Sequence, residues 1–110
     1  MSEEQNENKV DVYETNRFAK AMNRLDESQS EIVENEIDNI IENPELGVQK
    51  KGDLSYLRIH KFDLEGAEYL LGYNWSKMRM VIHLLQLGSH ENYYRDAKKR
   101  RKADLRAINS

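Results

Sequence analysis

Hydrophobic and polar positions change period twice along this chain. VDVYE, with Val10 and Val12 alternating and Tyr13 following, predicts a short strand. Phe18, Met22 and Leu25 then fall at i, i+4 and i+7, one face of a helix capped by Thr15 or Asn16. LDESQSE interrupts that face. Ser28 and Glu31 have capping-box spacing, with Ser30 as an alternative cap, for a second helix striped by Val33, Ile37, Ile40 and Ile41. Pro44 disfavours helical geometry at Asn43 and ends it. Two short helices joined by a few polar residues predict an antiparallel hairpin.

After ELGVQKKGD the period becomes two. LSYLRIHKF sets Tyr56, Arg58, His60 and Phe62 on one side and Leu57 and Ile59 on the other. Glu65-Gly66 marks a turn, AEYLLGYNW a second strand, SKM another turn, and RMVIHLLQLG a third strand. That last strand is apolar on both faces and belongs in the middle of the sheet. Beyond Gly88, Ser89 or Asn92 caps a helix on which Tyr94, Ala97, Leu105 and Ile108 roughly share a side. The order β-α-α-β-β-β-α predicts an α+β fold, with an N-terminal helical hairpin on one face of a small twisted antiparallel sheet. The other face is expected to stay partly open, available for chemistry by polar strand residues. Residues 1–9 hold no apolar side chain after Met1 and read as a disordered tail; residues 10–110 read as one domain.

Composition adds limits. With 38% apolar and 34% charged residues, the chain has a thin core and a wet surface. No apolar run reaches the ~20 residues of a membrane span, and no basic-then-apolar leader is present, so neither a membrane partner nor export is expected. The lack of cysteine excludes disulfides and thiolate metal sites and favours the cytoplasm. The net charge of −3 conceals an asymmetry. Residues 26–45 carry eight acidic side chains and no basic one, whereas residues 93–110 carry seven basic and two acidic, a local +5. A polyanion is attracted to the C-terminal third and repelled by the acidic segment, unless both are only solvated helix faces.

Three histidines suggest chemistry, but no His-x-His or i, i+4 pair supports a metal site, and no cofactor is expected. His83 lies in an apolar run and reads as a hydrogen-bonded core residue. His90 is either a helix cap or a proton-transfer group. Arg58 and His60 either decorate a wet strand face or handle phosphate. Lys50, Lys51 and Lys61 are solvated or touch a nucleic-acid backbone. Lys98, Lys99, Arg100, Arg101 and Lys102 form a solvated face or an RNA-docking run.

IIENPELG, LSYLRIH and LLQLGSHENYYRD, in that order, resemble the RelE/ParE family of bacterial toxins from type II toxin–antitoxin modules, over about residues 10 to 100. The resemblance implies a helical hairpin, a twisted antiparallel sheet, and a last strand ending in a Gly-containing turn that bears His or Arg, followed by a Tyr. It also implies a toxin silenced by a cognate antitoxin. RelE-like members are ribosome-dependent mRNA endonucleases that need no metal; ParE-like members share the fold and poison DNA gyrase. On this pattern Arg58 matches the cationic position of the first meander strand, with His60 two residues on along the same face; His90 matches the residue after the last strand, and Tyr93 or Tyr94 the terminal aromatic. Lys61, Lys98, Lys99, Arg100 and Arg101 are then RNA-contacting candidates. One departure stands out. Many RelE-like toxins open the middle strand with an arginine, where this chain has Glu68 and Tyr69 in EYLLGY. The phosphate-binding cation of that position is missing or comes from elsewhere.

Overall fold

The computed structural model describes residues 9–110, so the expected tail lies outside the described residues except for Lys9. In chain order the elements are β1 (Asp11–Glu14), α1 (Asn16–Asn23), α2 (Glu27–Glu42), β2 (Val48–Gln49) and a 3-10 turn (Gly52–Leu54). Then come β3 (Arg58–Leu64), β4 (Ala67–Ser76), β5 (Val81–Ser89), α3 (Tyr93–Lys99) and α4 (Arg101–Ile108). One five-stranded sheet runs in the order β1-β5-β4-β3-β2. β1 lies parallel to β5, and every other pair is antiparallel. The α+β layer and the β3-β4-β5 meander are those the sequence predicts, and β5 is an inner strand with β4 on one side and β1 on the other.

Local chemistry explains the boundaries. Thr15 caps α1, accepting from the Phe18 amide at 3.1 Å. α2 begins two residues before the expected Ser28 box. Asp26 accepts from the Gln29 amide at 2.8 Å, and the Gln29 side chain accepts from the Asp26 amide at 3.1 Å. A carboxylate is as good a cap as a hydroxyl, and here it also sits at the positive end of the helix dipole. Asn43 leaves helical geometry ahead of Pro44, as expected. Leu64 pairs with Ala67 across a two-residue turn whose Glu65 and Gly66 have φ of 51° and 93°. Positive φ at both central positions suits the right-handed twist of the flanking strands.

The two sheet faces bury separate cores. Phe18, Val33 and Ile40 of the helical hairpin pack on Phe62, Leu64, Leu71, Tyr73, Ile82, Leu84 and Leu87. On the opposite face, Leu54, Leu57, Ile59, Leu70 and Leu85 pack under Tyr93 and Ala97 of α3. Two expectations are corrected here. The face opposite the hairpin is not left open along its middle, because the chain after β5 folds back over it. The C-terminal basic segment is not one helix either: it breaks at Arg100, whose φ of −98° and ψ of 4° end α3 and start α4. The break turns Asp104 inward, where it is only 2% exposed. Among the described residues no helix is long and apolar enough to cross a membrane.

Candidate functional site

The end of β5 is shaped by a bulge. Gly72 pairs with Gln86 but Tyr73 pairs with Leu84, which leaves Leu85 as an extra residue. A bulge reverses the in–out alternation beyond it. Leu85 therefore joins the core under α3, Gln86 also faces α3, and Leu87 returns to the hairpin side. Thr15 fixes the bulge by donating its hydroxyl to the Leu85 carbonyl at 2.8 Å. Gln86 donates to the Tyr93 carbonyl at 2.9 Å, and the Tyr93 hydroxyl donates to the Gln86 carbonyl at 2.8 Å. Asn92, at φ 59°, reverses the chain between them.

This frame presents His90 and Tyr94. His90 is exposed, and its ring meets the edge of Tyr94 at 6.1 Å between centroids. Tyr94 is half-buried, in edge contact with Tyr93 at 5.5 Å, and the Lys50 ammonium lies 5.0 Å above its ring. Lys50, next to β2, is held by its amide donating to the Leu57 carbonyl at 2.9 Å. Lys61, Leu70 and Gly88 form one row across β3, β4 and β5. Neighbouring strands are spaced ~4.8 Å apart, so the Lys61 backbone lies ~10 Å from Gly88, two residues before His90. Alternation puts exposed Lys61 on the same face as Ile59 and α3. An imidazole, a phenol and two ammonium groups thus share one side of the sheet.

The other expected residues stand elsewhere. Arg58 and His60 lie on the hairpin face, where both are engaged. Arg58 donates to the Gly47 carbonyl at 2.8 Å and to Glu45 at 3.3 Å. His60 Nε2 is 2.7 Å from a carboxylate oxygen of Glu36 on α2, and its ring stacks on Phe62. The Tyr73 hydroxyl completes the clasp on the loop after α2, donating to the Pro44 carbonyl and accepting from the Gly47 amide, both at 2.8 Å. The sequence pattern correctly put Arg58, His60 and Phe62 on one side, but Tyr56, which precedes β3, packs instead with Leu57 and Ile59 on the α3 side, and the side of Arg58 and His60 is covered by α2. Tyr93 is also inaccessible: it is 2% exposed, and burial pushes its phenol far above the ordinary tyrosine value. Of the two candidate tyrosines, only Tyr94 reaches the surface beside His90.

The basic run is divided by the break at Arg100. Lys99 and Arg100 join Arg17 and Arg24 around a cleft of about 690 Å³ between α1 and α3, with Gly88, Ser89, Glu91 and Asp96 also lining it. Arg101 is turned away, donating to the Asp53 carbonyl at 2.8 Å. Lys98 is exposed on α3, and Lys102 borders a separate groove beside Leu105 and Arg106. His83 is not the hydrogen-bonded core residue expected. It is half-buried and stacked on Tyr13 at 5.6 Å, and its buried Nδ1 has no partner among the described residues. Burial first, and then Arg79, hold its pKa below the usual value.

Four residues important to this region carry no distinguishing signal in the sequence. Lys50 was one cation among several, and only the β2–β3 pairing carries it to Tyr94. Arg17, Gln86 and Asp104 carry no spacing signal, because three separate elements bring them together.

The comparisons agree with this architecture. The family described as ParE-like toxin of type II bacterial toxin–antitoxin system matches residues 12–98. No curated protein matches the chain in sequence. Among solved structures, a double arginine-to-alanine mutant of the E. coli toxin RelE in the free state superposes with a TM-score of 0.65 at 19% identity, covering 83% of this chain and 96% of that one. The intact E. coli RelBE toxin–antitoxin complex gives 0.61 at 18% identity, covering 76% and 99%. The same RelE mutant bound to an antitoxin RelBc peptide gives 0.60 at 19% identity, covering 80% and 93%. At such identities the likeness is one of fold, and the family match supplies the rest: this chain belongs to the ParE-like toxins of type II bacterial toxin–antitoxin systems, within the RelE/ParE superfamily.

Proposed function

We propose that this toxin cleaves mRNA on the ribosome and is silenced by a cognate antitoxin. The carrying observation is the gathering of His90, Tyr94, Lys50 and Lys61 on one side of the sheet. RNA cleavage by its own 2′-hydroxyl needs a base for the hydroxyl proton, cations for the crowded phosphate and a proton for the departing oxygen. His90 takes the 2′-hydroxyl proton. The 2′-oxygen attacks phosphorus, the bond to the 5′-oxygen breaks, and that oxygen leaves with a proton drawn from His90 or water. The products are a 2′,3′-cyclic phosphate and a 5′-hydroxyl. Lys50 and Lys61 stabilise the phosphorane charge, replacing the cation that Glu68 and Tyr69 do not supply. Tyr94 stacks on an unpaired base, a contact typically worth ~1–3 kcal/mol. Lys98, Lys99 and Arg100 attract the ribosomal RNA backbone. Arg58 and His60 serve the scaffold in this reading.

The antitoxin proposal draws on the family and on the likeness to a toxin–antitoxin complex. The test of the activity is primer extension on mRNA incubated with translating ribosomes and purified toxin. New 5′ ends dependent on the ribosome support the reading; intact message at verified ribosome binding rejects it. One observation favours a second reading. Arg58 and His60 are engaged on the hairpin face, which leaves few acid–base groups for chemistry and suits a toxin that acts by binding, as a gyrase poison does. Loss of DNA supercoiling by gyrase, with intact message, selects that reading.

A further inference from the structure

Arg17 and Asp104 meet from opposite ends of the chain. Arg17 belongs to α1 and Asp104 to α4, yet the guanidinium donates to both carboxylate oxygens at 2.7 and 2.8 Å. Asp104 is buried, whereas Arg17 keeps about a quarter of its side-chain surface exposed, in the cleft wall. The same guanidinium donates to the Gln86 side-chain oxygen at 3.1 Å. That bond fixes which way the Gln86 amide points. With its oxygen on Arg17, its NH2 must face the Tyr93 carbonyl, where it donates at 2.9 Å. A flipped amide would set donor against donor and acceptor against acceptor. Tyr93 in turn ends the turn: its amide donates to the His90 carbonyl at 3.3 Å, and the Asp96 amide donates to Asn92 at 3.0 Å. A continuous chain of polar contacts therefore runs from α4 through α1 and β5 to the turn carrying His90.

We infer that Arg17, held by the buried carboxylate of Asp104, is a positioning residue for the His90 turn and acts through the Gln86 side chain. The inference rests, for its kinetic consequence, on the nuclease reading; its structural consequence stands alone. Small displacements of a reacting group cost rate rather than substrate affinity.

Three variants test it: Arg17→Met, the double variant Arg17→Met/Asp104→Leu, and Gln86→Met. Each is assayed by thermal melting, by exchange of the Tyr93 and Asp96 amides, and by ribosome-dependent cleavage. Replacing both members of a buried ion pair with apolar residues often restores stability. The expected double variant melts near wild type, yet cleaves about 10- to 100-fold more slowly at unchanged KM and loses protection at the two turn amides. A double variant that regains both melting temperature and rate overturns the inference, because the pair is then only structural. Should the double variant not fold, Gln86→Met decides, since it keeps the ion pair and removes only the link. Wild-type rate and protection in Gln86→Met also overturn the inference. If the wild-type protein cleaves no message, the nuclease reading fails. Amide exchange in Gln86→Met then still decides the positioning role: lost protection supports it and unchanged protection overturns it.

Discussion

Gln86 and Tyr93 are bonded to each other twice, side chain to backbone in both directions, at 2.9 and 2.8 Å. Room for this exchange comes from Gly72, where an added Cβ would lie 2.5 Å from the Tyr93 hydroxyl. Gly72→Ala should therefore cost ~1–3 kcal/mol by overpacking. Tyr93→Phe should cost ~1–2 kcal/mol by leaving the Gln86 carbonyl short of a donor. The two changes should not fully add, because removing the hydroxyl removes the tightest contact and leaves only Leu57 Cδ1 at 3.1 Å to give way. Urea unfolding of the wild type, both single variants and the double variant measures the coupling; additive losses would show that Gly72 is needed for some other reason.

Helix α2 offers a simpler test. Asp26→Ala removes the acceptor of the Gln29 amide and should lower stability by ~1 kcal/mol. Ser28→Ala, at the position the spacing pattern favoured, should cost less, since Ser28 makes only exposed contacts to Asp26 and Glu65. Equal losses in paired melting curves would refute this assignment of the cap.

His83 should leave a pH signature. Its pKa in the folded protein lies below the unfolded value of ~6.5, so the unfolded chain binds the proton more readily. Its contribution is fully present above the unfolded pKa and is lost as pH falls through the lower folded pKa. Tyr13 stacks against the ring, and the positive charge of Arg79 opposes protonation further. His83→Phe should flatten the stability–pH curve below neutrality. A wild-type slope retained in that variant would locate the titration elsewhere.

The division of the basic run predicts unequal effects on nucleic-acid binding. Lys99 and Arg100 share the cleft wall with Arg17 and Arg24, whereas Arg101 is tied to Asp53. Neutralising Lys98, Lys99 and Arg100 together should weaken ribosome binding and reduce its salt slope, by roughly one unit for each phosphate no longer neutralised. Neutralising Arg101 should change the slope little. Co-sedimentation across several salt concentrations distinguishes the two, and equal slopes would mean that the run acts as diffuse charge.

How much of this was legible follows from what each signal encodes. Periodicity recovered the hairpin and meander because Val33, Ile37 and Ile40, or Arg58, His60 and Phe62, repeat at the spacing of their own element. It also grouped Arg58 with His60 correctly. It could not tell which face the hairpin would cover, since Phe62 is apolar and Arg58 polar on the same side. The break at Arg100 was hidden because KKRRK has good helix formers throughout, and the buried Asp104 that accompanies it depends on Arg17, 87 positions away. The choice between Tyr93 and Tyr94 turned on the bulge at Leu85, which no local pattern announces.

The decisive measurement concerns His90, exposed beside Tyr94 on a turn that the scaffold holds from beneath. His90→Gln should keep the fold and ribosome binding while slowing mRNA cleavage by about 10²–10⁴-fold, the usual worth of a positioned proton-transfer group. Single-turnover cleavage on programmed ribosomes, with binding measured in parallel, reads both quantities. A variant that binds normally and cleaves in this reduced range is the predicted result. Cleavage at the wild-type rate would contradict it and reduce His90 to a turn residue.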